Sequence, residues 1–224
     1  MPYYPAYLDL RGRPCIVIGG GEIAARKVAS FREAGARVTV VSPTLTGELR
    51  GLADTRAIVH HARAYQRGDL DGAWLACVAT DDEALHAAIA AEAAEARVFL
   101  NVVDRPRLGG FIVPAVVRRG PVRVAVSTGG ASPALAKRLA RELDATLGAE
   151  WGVAARVLGA LRARLDAGDA SARGRIFSAL ADAPLLRAIR ERDAARVEAL
   201  LSEHVGARTT LAELGIDLAP GADR

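Results

Sequence analysis

Long apolar runs are missing from this 224-residue chain, and no stretch approaches the roughly 20 consecutive apolar residues of a membrane-spanning helix. No membrane partner is therefore expected. The opening segment, Met1 to Arg13, lacks a basic start followed by an apolar run, so no secretory signal is expected either. Cysteine is scarce: Cys15 and Cys77 each sit in an apolar, strand-like stretch. They read as buried thiols in neighbouring parallel strands rather than as a disulfide, with the cytoplasm as the expected compartment. Aromatic residues make up only 4%, and the net charge of +4 is mild and spread along the chain. Nucleic-acid binders cluster basic residues with stacking aromatics, so that class is not expected, and an anionic small molecule suits the balance better. The histidines His60, His61, His86 and His204 lack metal-ligand spacing and have no cysteine cluster beside them. No metal site is expected, and each histidine reads as structural or solvated.

What is present is an alternation of short apolar runs and helical stretches. Residues 14–18 (PCIVI) lead into Gly19, Gly20 and Gly21, and a helix is expected from Glu22 to Glu33, with Ile23, Ala24, Val28 and Phe31 apolar. Gly35 closes it, and 37–41 (RVTVV) forms the next strand. Further strands are expected at 56–60, 73–79 and 97–103, with a helix capped by Asp81 and Asp82 running to about Ala94. Near-continuous Val, Ile, Leu and Ala in these runs suits a parallel sheet covered on both faces. The expected class is α/β, with an N-terminal Rossmann-like sheet.

After Pro106 the pattern changes. Residues 111–117 and 122–127 flank Arg118-Arg119-Gly120-Pro121 as a hairpin, and Ser132-Pro133 opens a helix to about Leu147. From Trp151 to about His204 the chain reads as helical, with breaks near Gly168 and Pro184. The tail from Ala207 has little periodicity, and only its last dozen residues lack a folded pattern.

Gly19-Gly20-Gly21-Glu22-Ile23-Ala24 matches G-x-G-x-x-A between strand and helix. The first glycine permits the tight turn, the second admits a pyrophosphate, and the small Ala24 lets helix and strand pack closely. The pyrophosphate would meet free N–H groups and the positive end of the helix dipole. The acid that often binds the adenine ribose is absent, because the second strand ends Val41-Ser42-Pro43. No arginine follows for a 2′-phosphate either, so spacing alone leaves NAD and NADP open. Cofactor contacts are expected from Gly19, Gly21, Glu22, Ile23 and Ala24, from Pro43 and Thr44, from Thr80 and Asp81, and from Asn101. Simple helix capping by Thr80-Asp81, and a turn role for Asn101, are the bland alternatives.

Seven segments together resemble the precorrin-2 dehydrogenase and sirohydrochlorin ferrochelatase family. They are Tyr7 to Leu10, Val17 to Lys27, Ala34 to Pro43, Ala79 to Asp82, Asn101 to Pro106, Phe111 to Pro114 and Val124 to Pro133. The resemblance covers roughly residues 5–145; beyond that it rests on length and helical character. It implies an NAD-binding Rossmann domain over 1–111, a dimerisation region over 112–147 and a helical C-terminal domain over 148–224. It implies a homodimer that oxidises the tetrapyrrole precorrin-2 to sirohydrochlorin with NAD, and some members also insert ferrous iron. Members fused to a methyltransferase exist, but the chain stops before such a module, so methylation is not expected.

Asp104, at the carboxyl end of the fifth strand, is by the family match the catalytic position, where an aspartate can act as general base. The glycine-rich loop Ser127, Thr128, Gly129, Gly130 running to Ser132 forms a second anion site, suited to the carboxylate arms of the substrate. By the resemblance, Thr128 stands where some relatives carry a phosphorylatable serine. The rival readings fare less well. A short-chain dehydrogenase needs a tyrosine four residues before a lysine, yet Ile23 and Pro133 precede Lys27 and Lys137 at that distance. A non-catalytic NAD(H)-sensing module accounts for the glycine turn but gives Asp104 and the second loop no role.

Overall fold

The computed structural model describes residues 3–165, 170–206 and 208–218. The expected break near Gly168 lies outside them. The chain forms two compact units that meet in sequence between Val113 and Pro114.

The first unit is a parallel sheet. Its strands are β1 (Pro14–Ile18), β2 (Arg37–Val41), β3 (Val59–His61), β4 (Leu75–Val78) and β5 (Phe99–Val102), in spatial order β3-β2-β1-β4-β5. Every pairing is parallel, with Ile16 opposite both Thr39 and Ala76. Helices α1 (Glu22–Glu33), α2 (Gly47–Asp54) and α3 (Glu83–Ala96) connect them.

Alternate residues of the central strands explain the two covered faces. Cys15, Val17, Val38, Val40 and Cys77 pack against Ala24, Ala25, Val28 and Phe31 of α1 and Leu49 of α2. Ile16, Ile18, Val41, Ala76 and Val78 pack against Ile89 and Ala93 of α3. Each fully buried Val, Leu or Ile contributes about 1.5–3 kcal/mol, so a charge at Val28, which is wholly buried, would break the α1 face.

Two elements of this unit differ from expectation, and in the second unit the first hairpin strand runs from Ala115 to Arg119 rather than over 111–117. Helix α2 was not expected, because Gly47 and Gly51 depress helix propensity. Thr46 nonetheless caps it by accepting from Leu49 N at 3.3 Å, and Leu49, Leu52 and Ala53 bury its inner side. The third strand begins at Val59 rather than at residue 56. Arg56 adopts a left-handed φ of 56°, and the amides of Arg56 and Ala57 turn back onto the carbonyls of Ala53 and Leu52, finishing the helix.

The second unit opens with an antiparallel hairpin, β6 (Ala115–Arg119) and β7 (Val122–Val126), followed by α4 (Pro133–Thr146). Ser132 caps α4 through Leu135 N, as expected. The guanidinium of Arg119 grips the far end of α4, at Leu147 O (2.6 Å) and Asp144 Oδ1 (2.8 Å). Helices α5 (Glu150–Arg164), α6 (Ala170–Leu180), α7 (Ala183–Glu191) and α8 (Ala194–Val205) bury a core around Val157, Leu161, Leu185, Ile189 and Leu201. The break near Pro184 is there, with Asp182 capping α7. Among the described residues of the tail, Leu211 and Leu214 close this core, which was not expected. Two leucines in a turn have no period to betray them; their side chains are held by burial and Leu211 N donates to Glu198 Oε1 at 2.8 Å. Among the described residues, no helix is long and apolar enough to cross a membrane.

Candidate functional site

The three glycines after β1 divide their tasks. Gly19 has a φ of +119°, and a Cβ there would stand 2.4 Å from Ala79 O. A Cβ on Gly20 would stand 1.9 Å from Thr44 O and 2.7 Å from Ser42 Oγ. These two let the turn press against the loops that leave β4 and β2. Gly21 is the opposite case, with nothing within 4 Å of an added Cβ. It is also the N-cap of α1 and carries no side-chain cap, whereas Thr46, Asp82 and Ser132 cap α2, α3 and α4. The first N–H groups of a helix need partners, and here they face open space beside a residue with no side chain. A dinucleotide pyrophosphate fits that position. Ala24 is fully buried behind it, in its expected packing role. The part played by Gly20 was missed, though the run of three glycines was its signal.

A cleft of about 400 Å³ opens at this turn. Gly21, Glu22 and Ile23 line it from the end of β1, Ala79, Thr80 and Asp81 from the end of β4, and Val103, Asp104 and Arg105 from the end of β5. Glu83 and His86 of α3 complete the wall. Strand order reverses between β1 and β4, and ligands of open α/β sheets bind outside the carboxyl ends at such a switch point. Gly21, Glu22, Ile23, Thr80 and Asp81, half of the expected cofactor contacts, therefore converge, together with Asp104.

Asp104 is exposed and adopts φ +58°, a left-handed conformation that few side chains other than Asn and Asp take up readily. Among the described residues no hydrogen bond or ion pair occupies its carboxylate, which is left open to the cleft. Its neighbour Arg105 pairs with Glu83. Asp82, not Asp81, caps α3, accepting from Leu85 N at 3.0 Å. Asp81 is thereby free to face the cleft. Thr80 is held from behind by the His86 ring, which sequence reasoning left as structural or solvated.

Five expected cofactor contacts are not part of the lining: Gly19 and Ala24 are taken up in packing behind the turn, and Asn101, Pro43 and Thr44 stand apart from the cleft. Asn101 is buried and its amide is committed to the interior: Oδ1 faces Lys27 Nζ at 3.4 Å and Nδ2 donates to Phe111 O at 3.1 Å. Its strand position alternates inward, so it braces the chain after β5 and does not line the cleft. Pro43 and Thr44 are exposed at the end of β2 and are not part of the lining. Thr44 offers its carbonyl to Ser42 Oγ at 2.8 Å, so what packs against the glycine turn there is backbone.

Comparison with known proteins agrees with this geometry. Residues 6–115 match a family model for NAD(P)-binding, and residues 119–146 match one for the sirohaem biosynthesis protein central region. The siroheme synthase of Thioalkalivibrio sulfidiphilus is 40% identical over 187 residues, covering 83% of this chain and 38% of that protein. That of Methylobacillus flagellatus is 46% identical over 153 residues, 68% of this chain and 32% of its own length. The chain thus spans well under half the length of these curated relatives. A solved structure titled SirC, precorrin-2 dehydrogenase, superposes with a TM-score of 0.72 at 25% identity, over 91% of this chain and all of the other. Over these regions the chain is similar to the sirohaem synthases and to that dehydrogenase.

The second glycine loop is closed upon itself. Thr128 Oγ1 accepts from Ser132 N at 2.9 Å and donates to Ser132 O at 3.0 Å, Ser127 Oγ accepts from Gly129 N, and Ser132 Oγ caps α4. The three hydroxyls thus shape the loop, with Gly129 and Gly130 at its tip in left-handed conformations. The thiols of Cys15 and Cys77 are free and buried, and burial pushes both up to about 11, so neither is a nucleophile at neutral pH. Among the described residues no cluster of His, Cys, Asp or Glu could hold a metal ion.

Proposed function

We propose that this chain dehydrogenates precorrin-2 to sirohydrochlorin, working as a cytoplasmic homodimer. The observation that carries the reading is Asp104, an unpaired carboxylate in the same cleft as the open Gly21 and the Thr80–Asp81 turn. The reaction removes two hydrogens from the macrocycle, one as hydride and one as a proton. Asp104 accepts the proton, and the left-handed turn at that residue presents its carboxylate to the cleft. Gly21 and the uncapped first turn of α1 hold the pyrophosphate of NAD, and Thr80 and Asp81 border its nicotinamide half. When bound, NAD supplies the acceptor for the hydride.

The carboxylate arms of the tetrapyrrole are assigned to the glycine loop Ser127–Ser132 through its backbone and the start of α4. Residues 112–147 are assigned to the dimer contact, supported by Leu135 and Leu139, which α4 leaves 57% and 43% exposed. Insertion of ferrous iron as a second activity would use Asp104 to collect the pyrrole protons, with the macrocycle supplying the nitrogens.

Anaerobic incubation with precorrin-2 and NAD tests the reading. Appearance of the sirohydrochlorin spectrum together with stoichiometric NADH is expected. NADH binding without turnover would favour a nucleotide-sensing module instead. Ferrous or cobaltous ion added afterwards reads out metal insertion.

A further inference from the structure

His86 is buried, with 5% of its surface exposed, yet it belongs to the wall of the cleft. Its Nε2 lies 2.8 Å from Thr80 O and 3.2 Å from Thr80 Oγ1. A carbonyl can only accept, so the proton of the ring must sit on Nε2 and point at Thr80. Nδ1 is then left buried without a partner among the described residues. A buried polar atom that has lost water and gained nothing is a standing cost. A side chain that merely filled the space under α3 would do so better as leucine. The ring therefore earns its place through Nε2, which fixes both the carbonyl and the hydroxyl of Thr80 from behind.

We propose that His86 is a positioning residue for the nicotinamide half of the cofactor, acting through Thr80. It is not a catalytic group, since it reaches the cofactor only through the turn it holds. Thr80 follows Ala79, whose carbonyl presses on Gly19. The next residue, Asp81, faces the cleft, and Asp82 is anchored as the cap of α3. Between those fixed points the side-chain restraint on the Thr80–Asp81 turn, among the described residues, is the imidazole. Without it the turn can rotate its carbonyl into the cleft or away, and the wall opposite the glycine turn loses its shape. The inference rests on the cofactor cleft proposed above, but it is measured by cofactor binding and so does not require turnover.

The test compares His86→Leu with His86→Gln, whose amide nitrogen can reach the place of Nε2. His86→Leu is expected to melt at or above the parent temperature, because the unpartnered Nδ1 is gone, and to bind NADH about tenfold more weakly, as the loss of one or two hydrogen bonds allows. With precorrin-2, its KM for NAD should rise while the KM for the tetrapyrrole stays put. His86→Gln should return NADH affinity to within about a factor of three of the parent. Parent-like NADH affinity in His86→Leu would overturn the proposal. So would losses in both variants that vanish once activity and binding are expressed per folded molecule, since that is what a purely structural role gives. If parent and variants all fail to turn over precorrin-2 while their NADH affinities still separate, the reaction assigned to the cleft is wrong and the role of His86 stands.

Discussion

The guanidinium of Arg105 pairs with the carboxylate of Glu83 and so ties the segment carrying Asp104 to the first turn of α3. The two walls of the cleft come from different strand ends, and this pair joins them at the surface. Both side chains are well exposed, at 52% and 70%. An exposed pair of this kind contributes about 0–1 kcal/mol and is screened by salt. Arg105→Ala should therefore leave the melting temperature nearly unchanged and lower turnover only modestly. The same modest loss should appear in the parent at 1 M salt. A large drop in thermal stability would show that Arg105 does more than bridge the loops.

The neighbouring glycines should fail in different ways. Gly20→Ala places a Cβ against Thr44 O, and such overpacking typically costs about 1–3 kcal/mol, so melting should fall. At Gly21 an added Cβ has nothing within 4 Å, and Gly21→Asp puts a negative charge where the pyrophosphate belongs, so the fold should survive while NADH affinity collapses. Paired melting curves and NADH fluorescence titrations check both. Unchanged affinity in folded Gly21→Asp would remove the glycine turn from the account.

How much of this was legible in the sequence follows from how local each signal is. The βαβ unit around Gly19–Ala24 declares itself within thirty residues, because strand, turn and amphipathic helix each have their own period. That Asp104 stands at the cleft was legible from its place after β5. Which way Asn101 faces was not legible, since a polar residue in a strand can face either way, and only the fold shows Lys27 and Phe111 O inside. His86 was illegible for the same reason, because its partner Thr80 is fixed by the turn between them and not by any spacing rule. Helix α2 was hidden by its two glycines, and Leu211 and Leu214 by having no repeat to belong to.

The buried end of the Arg63–Asp69 pair sets an acid limit on stability. Hydrogen bonds from Arg63, at 2.6 and 2.7 Å, hold the Asp69 carboxyl below its usual 3.8. A carboxyl depressed in the folded state contributes stability that is full above its unfolded value and is lost as pH falls through the folded one. The stability advantage of the parent over Asp69→Asn should hold at pH 5–7 and shrink below about pH 4. Urea melts across that range check it, and an advantage that grew on acidification would contradict the assignment.

The dimer proposal makes a separate claim on α4. Leu139→Arg puts a charge on its exposed apolar side without touching Ala136 and Ala140, which face the hairpin. Light scattering should give a dimer mass for the parent and a monomer mass for the variant. A parent that is monomeric at micromolar concentration would count against the assignment of residues 112–147.

The central claim is that Asp104 takes the proton, and Asp104→Asn addresses it most directly because the amide keeps the shape but cannot accept. NADH production from precorrin-2 under anaerobic conditions is measured alongside NADH affinity. Loss of a positioned acid–base group costs about 10²–10⁴ in rate, so turnover should fall at least a hundredfold while affinity stays near the parent, since Gly21 lies at the end of a different strand. Turnover at the parent rate in a variant that binds NADH normally would contradict the account.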